Sequence, residues 1–211
     1  MITVKLADLD SLLEEAAAFT ARDRAHPIAG VRFERQSDHL VAIATDRFRL
    51  AVTRIGAEFS GTSHPGTFVL DAYSLKTFRT SVATAKLSVP KSERPHRDVQ
   101  LESDGNQLTV TLPGLSFTLT TATGDGWPDW RGLFNKFTFG TTRTRAVTNA
   151  SYLADFRKPA RSKSDRMLVE FADSPNGPLR VTIGNHFVAL LMPLDSGKHT
   201  PTTIHDELGL T

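Results

Sequence analysis

The sequence predicts an α+β fold assembled from three repeats of one β-α-β-β-β unit, each roughly 60 residues long. Three times, a short alternating strand leads into a capped amphipathic segment and then into three strand-like runs separated by turn residues. Within those runs apolar and polar residues alternate, which suits antiparallel strands with one solvated face. A single unit cannot cover its own sheet, because one helix shields only part of a face. Two units side by side can.

In the first unit, Ile2 to Leu6 reads as a strand, and Asp8 is expected to cap a helix whose apolar face is Leu9, Leu12, Leu13, Ala16, Ala17 and Phe19. Asp8, Asp10, Glu14 and Glu15 crowd the helix start, where the dipole favours negative charge, and Pro27 ends the segment. Strands are expected at 30–35, 40–45 and 48–55. The second unit follows a Gly/Ser/Pro/His-rich linker at 60–65. It has a strand at 67–70, a helix capped by Asp71 through Leu75, Phe78, Thr80 and Val82, and strands at 86–89, 99–101, 107–112 and 115–121. Asp104-Gly105 and Pro113-Gly114 supply hairpin turns. The third unit comes after an irregular stretch at 124–130. A strand is expected at 143–147, then a helix capped by Asn149 or Ser151 and carrying Tyr152, Leu153 and Phe156, then strands at 167–171, 179–183 and 187–194. The expected organisation is a complete two-unit domain at 1–125, a linker at 126–139, half a domain at 140–196 and a flexible tail at 197–211.

Hydrophobic residues at 39% and charged residues at 23% fit a globular chain that buries about 70% of its unfolded surface without staples. The absence of cysteine excludes disulfides, a thiol nucleophile and Cys-based metal sites, and points to the cytoplasm. The amino-terminal residues lack a signal-peptide pattern, and no run approaches the roughly 18 apolar residues of a membrane span, so neither secretion nor membrane insertion is expected. The net charge of +2 says little about partners. Between Arg143 and Arg166, however, seven basic residues face only Asp155 and Asp165. That block is either a solvated helix face or a phosphate-contacting one. The seven histidines are scattered without metal-ligand spacing, and neither a nucleophile elbow nor a phosphate-cradling glycine loop occurs. No enzyme, metal or cofactor is expected. Trp127 and Trp130 flank Pro128, and packing of the linker is favoured over a base-stacking platform.

Ile28-Ala-Gly-Val-Arg-Phe-Glu34 and Leu40-Val-Ala-Ile-Ala-Thr-Asp-Arg-Phe-Arg-Leu-Ala-Val52 resemble the middle domain of the bacterial DNA polymerase III β subunit, the sliding clamp. Gly126-Trp-Pro-Asp-Trp-Arg131 resembles the linker that leaves that domain. Asn149-Ala-Ser-Tyr-Leu153 and Phe187 to Leu194 resemble the second half of the last domain. The resemblance spans residues 1 to 194 and implies the DNA-clamp fold and a non-catalytic accessory factor of DNA replication or repair. It also departs from the family. Clamp subunits have three complete domains, and the first domain and first half of the third have no counterpart here, so the usual two-subunit ring is not expected.

In that family, partner proteins insert a peptide of Gln-x-x-Leu-x-Phe type between the middle and last domains. The matching positions are Thr45, Arg47, Phe48, Arg49, Leu50, Pro128, Leu133, Pro178, Leu190, Leu191, Met192, Pro193 and Leu194. Their leucines and Met192 would form an adaptable apolar floor, with Arg47 and Phe48 replacing the small and imidazole residues usual there. Helices line the DNA channel of clamps, which implies duplex contacts through Lys76 and Arg79 of the second helix and Arg157, Lys158, Arg161 and Lys163 of the third. The alternative is an interaction module that competes for, or docks on, a full-length clamp or its clients without touching DNA. Leu208 and Leu210 in the closing residues resemble the anchors of a clamp-binding peptide. A third unit without its mate also predicts a homodimer that pairs third unit with third unit, with much of the contact over 138–171.

Overall fold

A computed structural model describes residues 1–194 apart from 24–25, 62–65, 123, 125, 141–145 and 175. The tail residues Leu208 and Leu210, and Arg143 and Arg145 of the basic block, lie outside the described residues. The first unit comprises β1 (Ile2–Lys5), α1 (Leu6–Ala17), β2 (Gly30–Gln36), β3 (His39–Thr45) and β4 (Arg49–Gly56), trailed by β5 (Glu58–Phe59). The second comprises β6 (Thr67–Asp71), α2 (Ala72–Leu87), β7 (Asp98–Ser103), β8 (Gln107–Leu112) and β9 (Leu115–Thr120). A short α3 (Trp130–Asn135) precedes the third: β10 (Phe139–Gly140), α4 (Ala150–Asp155), β11 (Met167–Ala172), β12 (Leu179–Ile183) and β13 (Phe187–Leu191).

The strands form a five-stranded sheet ordered β5-β1-β7-β8-β9 and an eight-stranded sheet ordered β10-β11-β12-β13-β4-β3-β2-β6. The first two units are interlocked by exchange. β1 opens the first unit yet pairs with β7 of the second, and β6 opens the second yet pairs with β2 of the first. That exchange brings the two backbones close at Gly30, where an added Cβ would lie 2.1 Å from the Leu70 carbonyl oxygen. Only glycine fits there. α1 and α2 pack together over the sheets, and the acidic residues of α1 are answered by α2: Glu14 by Arg79 at 2.6 Å, and Asp10 by Lys86.

The third unit joins the first through its last strand. β13 pairs antiparallel with β4, placing Leu190 opposite Leu50 and Leu191 opposite Arg49, so one sheet runs unbroken across the junction. On the helix side Phe19, just beyond α1, meets Phe156 and Phe187 with ring centroids 5.2 and 5.4 Å apart. All three rings are buried in a core shared by the three units. On the opposite face Val41, Ile43, Leu50, Val52 and Leu190 form a second apolar cluster, covered by Trp127, Trp130, Phe134 and Phe139. Trp130 Nε1 donates to Glu34 at 3.3 Å, and Arg131 pairs with the same buried carboxylate at 2.8 Å. The linker tryptophans thus pack on the sheet, as their sequence context favoured.

Three local expectations are corrected. α1 begins at Leu6 without a side-chain cap, and Asp8 lies in its first turn. The cap is unnecessary because the Leu6 N–H donates to the Arg97 carbonyl at 2.8 Å, satisfying a helix-end donor from the tertiary structure. The segment 86–89 is not a strand, because α2 runs to Leu87 and buries Val82 and Ala85 at helical spacing. Of the strand expected at 143–147, residues 143–145 lie outside the described residues, Ala146 and Val147 belong to no strand, and β10 at Phe139–Gly140 pairs with the end of β11. Finally, α4 stops at Asp155, so Arg157, Lys158, Arg161 and Lys163 are not on a helix. The Arg161 and Ser162 N–H groups instead turn onto the Asp165 carboxylate at 2.8 and 3.1 Å.

Candidate functional site

The junction of the first and third units is organised by the turn Thr45-Asp46-Arg47-Phe48-Arg49. Asp46 Oδ1 accepts from the N–H groups of Phe48 and Arg49 at 3.1 and 2.7 Å, and Thr45 Oγ1 donates to the Arg49 carbonyl at 2.7 Å. This side-chain-built turn holds Arg47 at a positive φ of 76°. It also aims Arg49, only 4% exposed, into the protein. There the guanidinium pairs with Asp46 and with Asp155 of α4, each at 2.8 Å, and lies over the rings of Phe19 and Tyr152. Burial opposes ionisation of Asp155, but hydrogen bonds from Arg49 and Lys158 outweigh it and hold the carboxyl below the usual carboxylate range.

Beside this clasp a groove of about 550 Å³ opens on the helix-covered face, bordered by Arg22, Lys76, Arg79 and Lys158 with Arg49 at its base. Arg22 follows α1, Lys76 and Arg79 come from α2, and Lys158 follows α4, so all three units contribute a cation. Arg79 is shared with Glu14 and Lys158 with Asp155 at 3.2 Å. Arg22 and Lys76 make no ion pair among the described residues. The opposite, sheet-covered face has a smaller groove of about 240 Å³, with Val41, Val52 and Val188 from three adjacent strands, Trp130, and Arg54 and His186 at its rim.

No protein-family model and no curated protein matches the chain. Solved structures do. The DNA polymerase III β subunit of Thermotoga maritima superposes with a TM-score of 0.70 at 14% identity, over 92% of this chain and 65% of its own. The sliding clamp of Bartonella birtlesii gives 0.68 at 12% identity over 98% and 67%, and the β subunit of Streptococcus pyogenes 0.68 at 11% over 100% and 67%. The fold is that of the sliding clamp. The chain spans about two thirds of the length of these clamps, and identities this low establish the fold alone.

Within the clamp fold, the residues matched to the family's peptide pocket do not gather at one surface. Leu50 and Leu190 are neighbours on the sheet face, but both are 5% exposed beneath the linker aromatics. Thr45, Arg49 and Leu191 face inward and are buried in the turn, the clasp and the main core. Phe48 and Met192 are exposed neighbours, joined by the Met192 N–H donating to the Phe48 carbonyl at 2.8 Å, with Phe48 stacked on Tyr152. Leu133 is exposed on α3 and Leu194 beyond β13, Arg47 projects from the turn, Pro128 and Pro193 are half-buried, and Pro178 is buried before β12. Among the matched cations, Lys76, Arg79 and Lys158 meet at the helix-face groove. Arg161 is bound bidentately by the buried Glu15 at 2.6 and 3.0 Å, Arg157 borders an apolar hollow beside α4, and Lys163 stands exposed in the turn after it.

Arg22 and the trio Val41, Val52 and Val188 were missed. Arg22 carries no local signal, since only the fold brings it to α2 and α4. The valines did carry one: β3 reads Leu-Val-Ala-Ile-Ala, apolar on both faces, the mark of a strand covered on both sides.

Proposed function

We propose that this chain is a non-catalytic, clamp-like factor of DNA replication or repair that holds duplex DNA by its phosphates on the helix face and partner peptides on the sheet face. The observation that carries this reading is the convergence of Arg22, Lys76, Arg79 and Lys158, drawn from all three units, on one groove of about 550 Å³. Flexible cations spaced along a groove, without side chains shaped to read base edges, suit sequence-independent, salt-sensitive phosphate contact. On the sheet face, Leu50, Leu190, Val41 and Val52 are all buried, so the apolar anchors of a Gln-x-x-Leu-x-Phe peptide are better received at the groove of about 240 Å³ where the half-buried Val188 stands beside Trp130.

Titration with labelled duplex DNA and with such a peptide tests both halves. The double variant Lys76→Glu with Lys158→Glu should weaken duplex binding and flatten its log–log salt slope by about 2, while peptide binding persists. Val188→Asp should do the reverse, abolishing a micromolar peptide affinity, about −8 kcal/mol. Absence of duplex binding by the unmodified chain at low salt refutes the first half.

A second reading, a module that acts on a full-length clamp or its clients without DNA, is favoured by one observation. Three of the six cations matched to DNA contact, Arg79, Lys158 and Arg161, are already paired with carboxylates. Peptide or clamp binding without duplex binding is its signature.

A further inference from the structure

The leading edges of the first two units are both covered. β2 receives β6 along five residues, Gly30 to Glu34, and β7 receives β1 along four, Asp98 to Leu101. The matching edge of the third unit is β11, and among the described residues β10 covers only its last two positions, Phe171 and Ala172. The Ala172 N–H donates to Pro178 on the β12 side and the Asp173 N–H to Thr138 on the β10 side. Backbone groups alternate along a strand, so Met167 and Val169 direct their N–H and C=O groups at the edge that no described strand covers. Side chains there are apolar and exposed: Met167 is 51% and Leu168 56% accessible. Met167 also borders a hollow of about 520 Å³ lined by Leu153, Ala154, Phe156 and Ile183, on the face where α1 and α2 shield each other in the first two units.

We infer that two copies of this chain join edge to edge through β11, antiparallel about a two-fold axis at Leu168. The segment Arg166-Met167-Leu168-Val169-Glu170 is self-complementary in that register and in no neighbouring one. A two-fold normal to the sheet keeps inner residues opposite inner residues, so the register must centre on a residue rather than between two. Centred on Leu168, Met167 exchanges both backbone bonds with the partner's Val169, and Leu168 packs against the partner's Leu168 as the close, non-hydrogen-bonded pair. Arg166 then stands across from the partner's Glu170, a carboxylate already held by Arg180 at 2.8 Å on its own sheet. The apolar hollow continues into its symmetry mate, extending the contact toward the roughly 1,200 Å² of a stable interface. Arg157 and Lys158, at the near end of α4, oppose closer approach, so the strand edge and not the helix surface leads the contact.

Light scattering coupled to size exclusion, on the full chain across the micromolar range, should give about twice the 23.1 kDa chain mass. Leu168→Lys puts two ammonium groups face to face at the axis, and should return the mass to that of a single chain with an unchanged circular dichroism spectrum. Because the sequence has no cysteine, Leu168→Cys supplies a lone thiol, and mild oxidation should convert most of the protein to a covalent dimer on non-reducing gels. A single-chain mass for the unmodified protein overturns the inference. So does a dimer that Leu168→Lys leaves intact and Leu168→Cys fails to cross-link.

Discussion

Arg161 and Arg49 belong by type to the residues expected at a binding surface, yet each neutralises a carboxylate inside the protein. Glu15 is 2% exposed, receives the Arg161 fork on one side and accepts from Thr53 Oγ1 on the other. A carboxylate so placed is tolerable only while paired. Arg161→Ala should therefore destabilise the fold by about 3–5 kcal/mol, read as a lower urea midpoint, and leave duplex affinity nearly unchanged. Substitution of Lys163, exposed nearby, should not move the midpoint. The sequence could show that residues 157–166 are basic. It could not show which cation meets a buried acid 146 residues away, because such a pair has no local periodicity.

At the scale of elements, legibility follows how local the determinants are. Asp71 caps α2 by accepting from the Ser74 N–H at 2.7 Å, and Asn149 caps α4 through the Ser151 N–H at 2.9 Å, both readable from residue type and spacing. The start of α1 was not readable, since its first donor is satisfied by Arg97. α4 is weak by itself: six residues, far short of the length at which an isolated helix persists. It is kept by what it touches, namely Asp155 on Arg49 and Phe156 between Phe19 and Phe187. Phe156→Ala should cost about 3–5 kcal/mol. Hydrogen exchange should show faster opening of β11 to β13 than of β7 to β9, because the deleted ring lies at the third unit's seam with the first. Uniform acceleration in all strands would contradict that seam.

For the whole molecule, three units of one build were visible as strand, helix and alternating strands, and from that repetition the α+β class followed, while the clamp likeness rested on the residues at 28–34, 40–52, 126–131, 149–153 and 187–194. Alternation and capping are short-range properties, set by residues a few positions apart, so the chain determines them before any unit meets another. How the units meet is a long-range matter. Exchange of β1 and β6 between the first two, the seam of β13 on β4, and the burial of Leu50 and Leu190 under Trp127 and Trp130 all depend on surfaces that exist only once the sheets have formed. The tertiary structure therefore decided which candidate residues became core, which became ion pairs and which remained at a surface. Leu191 and Leu168 are both strand leucines, one opposite Arg49 in a covered sheet and fully buried, the other on an open edge and more than half exposed. Their difference lies in the neighbouring strand, which no local pattern encodes.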